Sequence, residues 1–177
     1  MQAEAIAAYI RAKDENRPYL MEHAFERDAS LTMVVKSDAI SFPPVTQGRE
    51  AITRVLVREF GRTYENVRTL CLCSPPGSID TNFSCRWLAG MSAKDGGAVR
   101  VGCGHYNWSF RTQAPHLAKR LEITIDVMQI FAADYLTAVT SWLFALPYPW
   151  CPVRTAFDSA PQLEQLRPLR QWAYEDA

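Results

Sequence analysis

The stretch Val99 to Phe110, VRVGCGHYNWSF, constrains the fold more than any other part of the chain. Its β-branched residues, aromatics and two interior glycines are strand composition. Alternation puts Gly102, Gly104, Tyr106, Trp108 and Phe110 on one face and Val101, Cys103, His105, Asn107 and Ser109 on the other. A face that runs from glycines to large aromatics predicts the wall and floor of a cavity, with the missing side chains leaving room and the aromatics closing the bottom. The alternative is a strand of a twisted sheet whose glycines mark a bulge.

The rest of the chain supplies neighbours for such a strand. Ile6, Tyr9, Ile10 and Lys13 recur at helical spacing and predict a helix over 3–16. Pro18 suits the first turn of a second helix reaching Glu26, and Leu31 to Lys36 has strand character. A third helix opens at Gly48-Arg49-Glu50-Ala51-Ile52, with Ile52, Val55, Leu56, Glu59 and Phe60 along one stripe. From Tyr64 the period changes to two, setting Val67, Thr69, Cys71 and Cys73 against Arg68, Leu70 and Leu72. Phe83 to Ala93 is a further strand, joined to the central one by the hairpin turn Lys94-Asp95-Gly96-Gly97. A last strand sets Leu121, Ile123, Ile125 and Val127 against Glu122, Thr124 and Asp126, and a helix follows from Asp134 to Leu146. Pro147 to Pro152 then turns the chain into a tail bearing Leu163, Leu166, Leu169 and Trp172. Helices followed by hairpin-linked strands define an α+β layout: N-terminal helices packed on a curved, mostly antiparallel sheet that encloses a cone-shaped hollow, with an extra C-terminal helical tail. The expected organisation is one domain over 1–146 and a tail over 147–177, packed on that domain or on a partner subunit.

Charge narrows the partners. The 19 Lys and Arg residues balance 19 Asp and Glu, so no net field draws in nucleic acid or an anionic membrane. Arg154, Arg167 and Arg170 read as solvated surface. The most apolar run, Trp142 to Leu146, is too short to span a bilayer. Arg11, Lys13, Asp14 and Glu15 interrupt any signal-peptide core, and five cysteines without a C-x-x-C pair read as reduced thiols, so a cytoplasmic protein is expected.

Three local patterns, together with the element order, carry a family resemblance. They are Phe25-Glu26-Arg27-Asp28-Ala29 ahead of the first strand, Gly48-Arg49-Glu50-Ala51-Ile52 at the helix start, and His105-Tyr106-Asn107-Trp108. In these the chain resembles the nuclear transport factor 2-like superfamily, with its cystatin-like cone fold, and in particular the SnoaL-like and ketosteroid-isomerase-like branches, over residues 5–131. Ketosteroid isomerases place a tyrosine on the first helix, a carboxylate base at the end of the first strand, and a protonated aspartate on the strand matching the central one here. The resemblance puts Tyr9 at the tyrosine, Met33 at the base and Gly104 at the neutral acid. A thioether and a hydrogen atom cannot exchange the proton, so orthodox steroid isomerisation is not implied. A second alignment sets Ile125-Asp126-Val127-Met128 on the acid's segment, which makes Asp126 the only acid to nominate as a general acid or base. Face alternation sets Asp126 instead on the outward or dimer-facing side.

Other chemistry finds no complete set. Cys103, His105 and Asn107 share a face, but a metal needs further ligands, and no metal or other cofactor is expected. A Cys103–His105 nucleophilic pair lacks a helix N-terminus to lower the thiol pKa. The resemblance implies instead that Cys103, His105 and Asn107 meet a partner's copy across a two-fold axis, forming a homodimer through the convex sheet face.

The expected function is to bind or transform a small, largely apolar molecule, such as a polyketide, terpenoid or aromatic compound. Met33, Trp87, Gly104, Tyr106 and Trp108 would line the pocket, and Tyr9 would donate a hydrogen bond to a carbonyl or hydroxyl. Any reaction would be that of a cofactor-independent isomerase, cyclase or dehydratase. The alternative is a non-catalytic dimerisation or docking module whose cavity is filled by its own side chains and whose tail, with Trp172, is the docking element.

Overall fold

Period-two patterning in the middle of the chain closes into one six-stranded sheet in the order β2-β1-β6-β5-β4-β3. The computed structural model describes residues 1–77 and 80–175. The strands are β1 (Phe25–Val35), β2 (Val45–Gln47), β3 (Tyr64–Cys71), β4 (Asn82–Ala93), β5 (Val99–Phe110) and β6 (Ala118–Phe131). Every adjacent pair is antiparallel except β1 and β6, which run parallel with Met33 beside Ile123. Gly96 and Gly97, at φ 75° and 72°, make the β4–β5 turn in a region that side-chain-bearing residues avoid. The curved, mostly antiparallel sheet with helices on it is the α+β cone expected from the sequence.

Helices cover both sides of the sheet. On the concave side lie α1 (Gln2–Asp14), a 3₁₀ helix (Pro18–His23), and α2 (Arg49–Thr53), which runs through a π-helical stretch (Arg54–Glu59) into α3 (Phe60–Thr63). Glu4 in the first turn of α1 and Arg11 and Lys13 in its last turn complement the helix dipole. Ile6, Tyr9 and Ile10 of α1 join Leu56, Phe60 and the inward residues of the strands in one core. On the convex side α4 (Leu136–Phe144), α5 (Val153–Asp158) and α6 (Arg167–Glu175) form a second core with Leu70, Leu88, Val101 and Cys103. The convex layer thus begins at Leu136, before the Pro147 boundary read from the sequence, and it packs on its own subunit.

Three features seat that layer. Gly90 lets α4 approach: a Cβ there would collide with the Leu143 side chain. Residues 149–151 run beside the β3 edge, where Cys71 N–H donates to Pro149 O at 2.6 Å and Cys151 N–H donates to Cys71 O at 2.9 Å. Arg170, read from the sequence as solvated, instead donates to the carbonyls of Phe157, Ala160 and Pro161 at 2.9–3.0 Å, closing the end of α5.

The sequence reading also misplaces two elements. The helix expected through Glu26 is a six-residue 3₁₀ helix of two turns ending at His23, and Phe25 to Ala29 lies within β1 rather than ahead of it. The short β2, paired with β1 through Leu31 and Thr46, was not anticipated. Among the described residues all five cysteines are free, and no helix is long and apolar enough to cross a membrane.

Candidate binding cavity inside the cone

The inward row of β5 begins with Arg100 and ends in the stacked pair Trp108 and Phe110, whose ring planes differ by 8°. Tyr9 stands over this floor from α1, edge-on to Phe25, Tyr106 and Trp108 with centroids 5.5–6.1 Å apart. Above the floor is a cavity of ≈ 40 Å³ lined by Tyr9, Met33, Trp87, Tyr106, Met91 and Met128, together with Lys13 and aliphatic residues. Ile40, Phe42 and Phe60 are shared with an outer vestibule of ≈ 460 Å³, whose rim carries Asp38, Ser41, Glu59, Thr63 and Tyr64. The inner cavity holds little more than a few water molecules, whereas the vestibule is the size of a ligand site.

Two expected lining residues are elsewhere. Trp108 belongs to the solid floor and takes no part in the lining. Gly104 leaves no room: a Cβ there would run into the Thr124 carbonyl and reach the Trp87 ring at 3.0 Å. The glycine is required because β6 carries one extra residue opposite it, the bulge lying between the pairs Cys103–Val127 and Gly104–Ile125. The space over Gly102 is likewise taken, by the Met128 side chain.

Asp126 lies outside the cavity, on the outward side where alternation with Glu122 and Thr124 sets it, and the same bulge brings Val127, expected on the face of Leu121, Ile123 and Ile125, to that side as well. Asp126 and Tyr9 therefore lie on opposite faces of the sheet and share no chemistry. Asp126 there accepts from Trp172 Nε1 at 3.1 Å, is bonded to His105 Nδ1 at 2.7 Å and pairs with Lys36 Nζ at 3.0 Å. Burial pushes its carboxyl up, but hydrogen bonds from Lys36 and Trp172 and the charge of His105 outweigh it and hold the pKa below the usual value. Arg86 closes the other side of Trp172, its guanidinium 5.4 Å from the ring and its Nη1 donating to Ala173 O.

The chain's own tail covers part of the row expected to face a partner. Cys103 is fully buried beneath the tail, and burial foremost pushes its thiol pKa far up. His105 packs edge-on against Trp172 at 5.6 Å. Asn107 alone stays exposed, donating to Glu122 at 3.0 Å. Trp172 is likewise held on its own sheet and is not a free docking element.

Sequence reasoning missed the polar groups that border the cavity. Lys13 lines it, donating to Thr69 Oγ1 at 2.6 Å and to Asp14 at 3.0 Å, with its ammonium 5.1 Å from the Phe60 ring centre. Asp14 also accepts from Thr69 N–H and Oγ1 and from the Tyr148 hydroxyl, tying α1, β3 and the tail together. A lysine on the apolar stripe of α1, four residues after Tyr9, was the signal. Burial drives the Tyr9 and Tyr106 hydroxyls well above their ordinary pKa, so both stay protonated and serve as hydrogen-bond donors rather than bases. Trp87 Nε1 is buried without an acceptor among the described residues.

No protein-family model and no curated protein matches the sequence. Solved structures do match in shape. One is a computationally designed binder of 17-OHP, 16% identical with a TM-score of 0.54, the match covering 74% of this chain and 100% of that one. Another is a hexachlorocyclohexane dehydrochlorinase, 9% identical at TM-score 0.57, covering 73% and 85%. A nuclear transport factor 2-like superfamily protein from Salmonella enterica is 15% identical at TM-score 0.54, covering 71% and 88%. The chain has the nuclear transport factor 2-like fold, and at these identities the likeness speaks for the fold alone.

Proposed function

We propose that the cone binds a small, largely apolar molecule carrying one hydrogen-bond acceptor. The observation that carries this reading is the inner cavity lying beside a ligand-sized vestibule, with Ile40, Phe42 and Phe60 lining both. Three methionines in the wall, Met33, Met91 and Met128, support it, because unbranched thioether side chains repack around a guest at low cost. Tyr9, Tyr106, Trp87 and Lys13 supply donors, the set that a carbonyl or hydroxyl oxygen needs. The wall offers no free base: Met33 stands where the resemblance puts the carboxylate, and Asp14 is consumed by four donors. Binding, or stabilising a developing oxyanion, is within its means, whereas taking a proton from carbon is not. The matching structures include the 17-OHP binder and the dehydrochlorinase, so this fold accommodates such guests.

The small inner void favours a second reading, a cavity filled by its own side chains. A thermal-shift titration with short-chain ketones and alcohols separates the two. A guest at one hundred times its Kd raises stability by about 2.7 kcal/mol, several degrees for a domain of this size. Ala89→Phe, which fills the wall, abolishes that shift if the cone is the site. No shift across the panel would overturn binding in favour of the filled module.

A further inference from the structure

Directly behind the vestibule lining lies a cation without an ion-pair partner. Arg100 is partly buried on the cone face of β5, directly opposite Met91 of β4, which lines the cavity. Its Nε–H donates to the Ala39 carbonyl at 3.1 Å, and its guanidinium lies 5.4 Å from the Tyr64 ring centre. Ala39 and Tyr64 both line the vestibule. Nη1 is buried with no partner, and among the described residues no carboxylate lies within ion-pair range of this guanidinium. Of the two acids on the rim, Glu59 is paired with Arg54 at 3.8 Å and Asp38 is not paired with Arg100. Lys13, the cation that does line the inner cavity, is different: it is neutralised by Asp14.

A buried guanidinium donor left unpaired is costly, because it gives up water and gains nothing in return. A planar fork of N–H groups is matched by a carboxylate, which accepts two parallel hydrogen bonds. From these observations we infer that Arg100 is a specificity residue for the carboxylate of the cone's ligand, whose apolar body lies along Met91 toward the inner cavity. This rests on the cone being a binding site and narrows the guest to an apolar monocarboxylate. Ala39, which accepts from Arg100 Nε, is the contact that joins this guanidinium to the vestibule lining.

Hexanoate and hexanol, titrated calorimetrically at neutral pH into wild type, Arg100→Gln and Arg100→Lys, test it. Wild type should bind hexanoate about tenfold more tightly than hexanol, the scale of one charge-assisted pair. Arg100→Gln should lose that preference while keeping its hexanol affinity, and Arg100→Lys should retain part of it. Hexanol affinity and melting temperature report that each variant is folded with its cone intact. Equal binding of both probes to wild type, or an unchanged preference in Arg100→Gln, overturns the role of Arg100 and leaves the binding site standing. Binding of neither probe to wild type overturns the site itself and the inference with it.

Discussion

The two faces of one sheet solve opposite problems. On the convex face the aliphatic residues of β3, β4 and β5 meet α4, α5 and α6 directly, Gly90 admits Leu143, and most polar groups are matched: Asp126 has three partners and Trp172 is held from both sides, while Arg68 Nε, against the Phe144 and Tyr148 rings, has no hydrogen bond among the described residues. On the concave face the floor of Trp108, Phe110 and Phe25 is equally tight, with Trp108 Nε1 unmatched inside it, but the wall above it is rich in methionine and carries the unmatched donor Trp87 Nε1, and Arg100 Nη1 is unmatched beside the vestibule. The difference lies in filling: helices close over the convex core, whereas the concave face keeps an apolar cavity with a free donor, Trp87 Nε1, in its wall. The acid that looked catalytic sits on the sealed side, where it holds the tail.

The sharpest way to break the comparison is at its common support. Phe110→Ala should cost about 3–5 kcal/mol in chemical denaturation, since the ring is fully buried and stacked. A melting curve like that of wild type would take the floor out of the account. Trp172→Ala should cost about 2–3 kcal/mol, as a half-buried ring with one hydrogen bond is lost. It should also make the segment after Leu166 sensitive to protease while leaving guest binding unchanged. If binding falls with it, the two faces are not separate.

Acid should act on the convex face first. The Asp126 pKa is depressed in the folded state, so its contribution is present above the ordinary aspartate value and lost as pH falls below about 4 toward the folded pKa. Hydrogen exchange in α6 should therefore rise there in wild type, and Asp126→Asn should show the rise already at neutral pH. The smallest effect on stability is expected from Tyr9→Phe, less than about 1 kcal/mol, with weaker binding of a ketone guest read by calorimetry. Unaltered affinity would remove that hydroxyl from the site.

Much of this was legible along the chain and little of it across the chain. The stripe Ile6, Tyr9, Ile10, the alternation in β3 to β6 and the Lys94–Gly97 turn are local signals, and each predicts its element. The parallel pairing of β1 with β6 is a long-range contact that no local period reports. The row Cys103, His105 and Asn107 was correctly set on the convex face, but alternation cannot say whether a partner or the chain's own tail covers it. Alternation sets Asp126 on the outward side, where it lies, but puts Val127 on the face of Leu121, Ile123 and Ile125. One extra residue moves Val127 to the convex core, because a bulge shifts the register without marking the sequence beyond Gly104. Arg100 and Arg170 were passed over for one reason: a lone cation on a strand or helix has the appearance of solvated surface until its neighbours are known, whereas Lys13 was set on the stripe of α1 without being read as part of a cavity.

Methyl NMR on protein labelled with ¹³C at the methionine ε-methyls tests the contrast most directly. The chain has five methionines, of which Met33, Met91 and Met128 line the cone while Met1 is exposed and Met21 is buried outside the cavity lining. Titration with hexanol should move the resonances of Met33, Met91 and Met128 together and leave Met1 and Met21 in place. Saturable shifts confined to Met1 or Met21, or no saturable shift at any of the five, would contradict a binding cavity inside the cone.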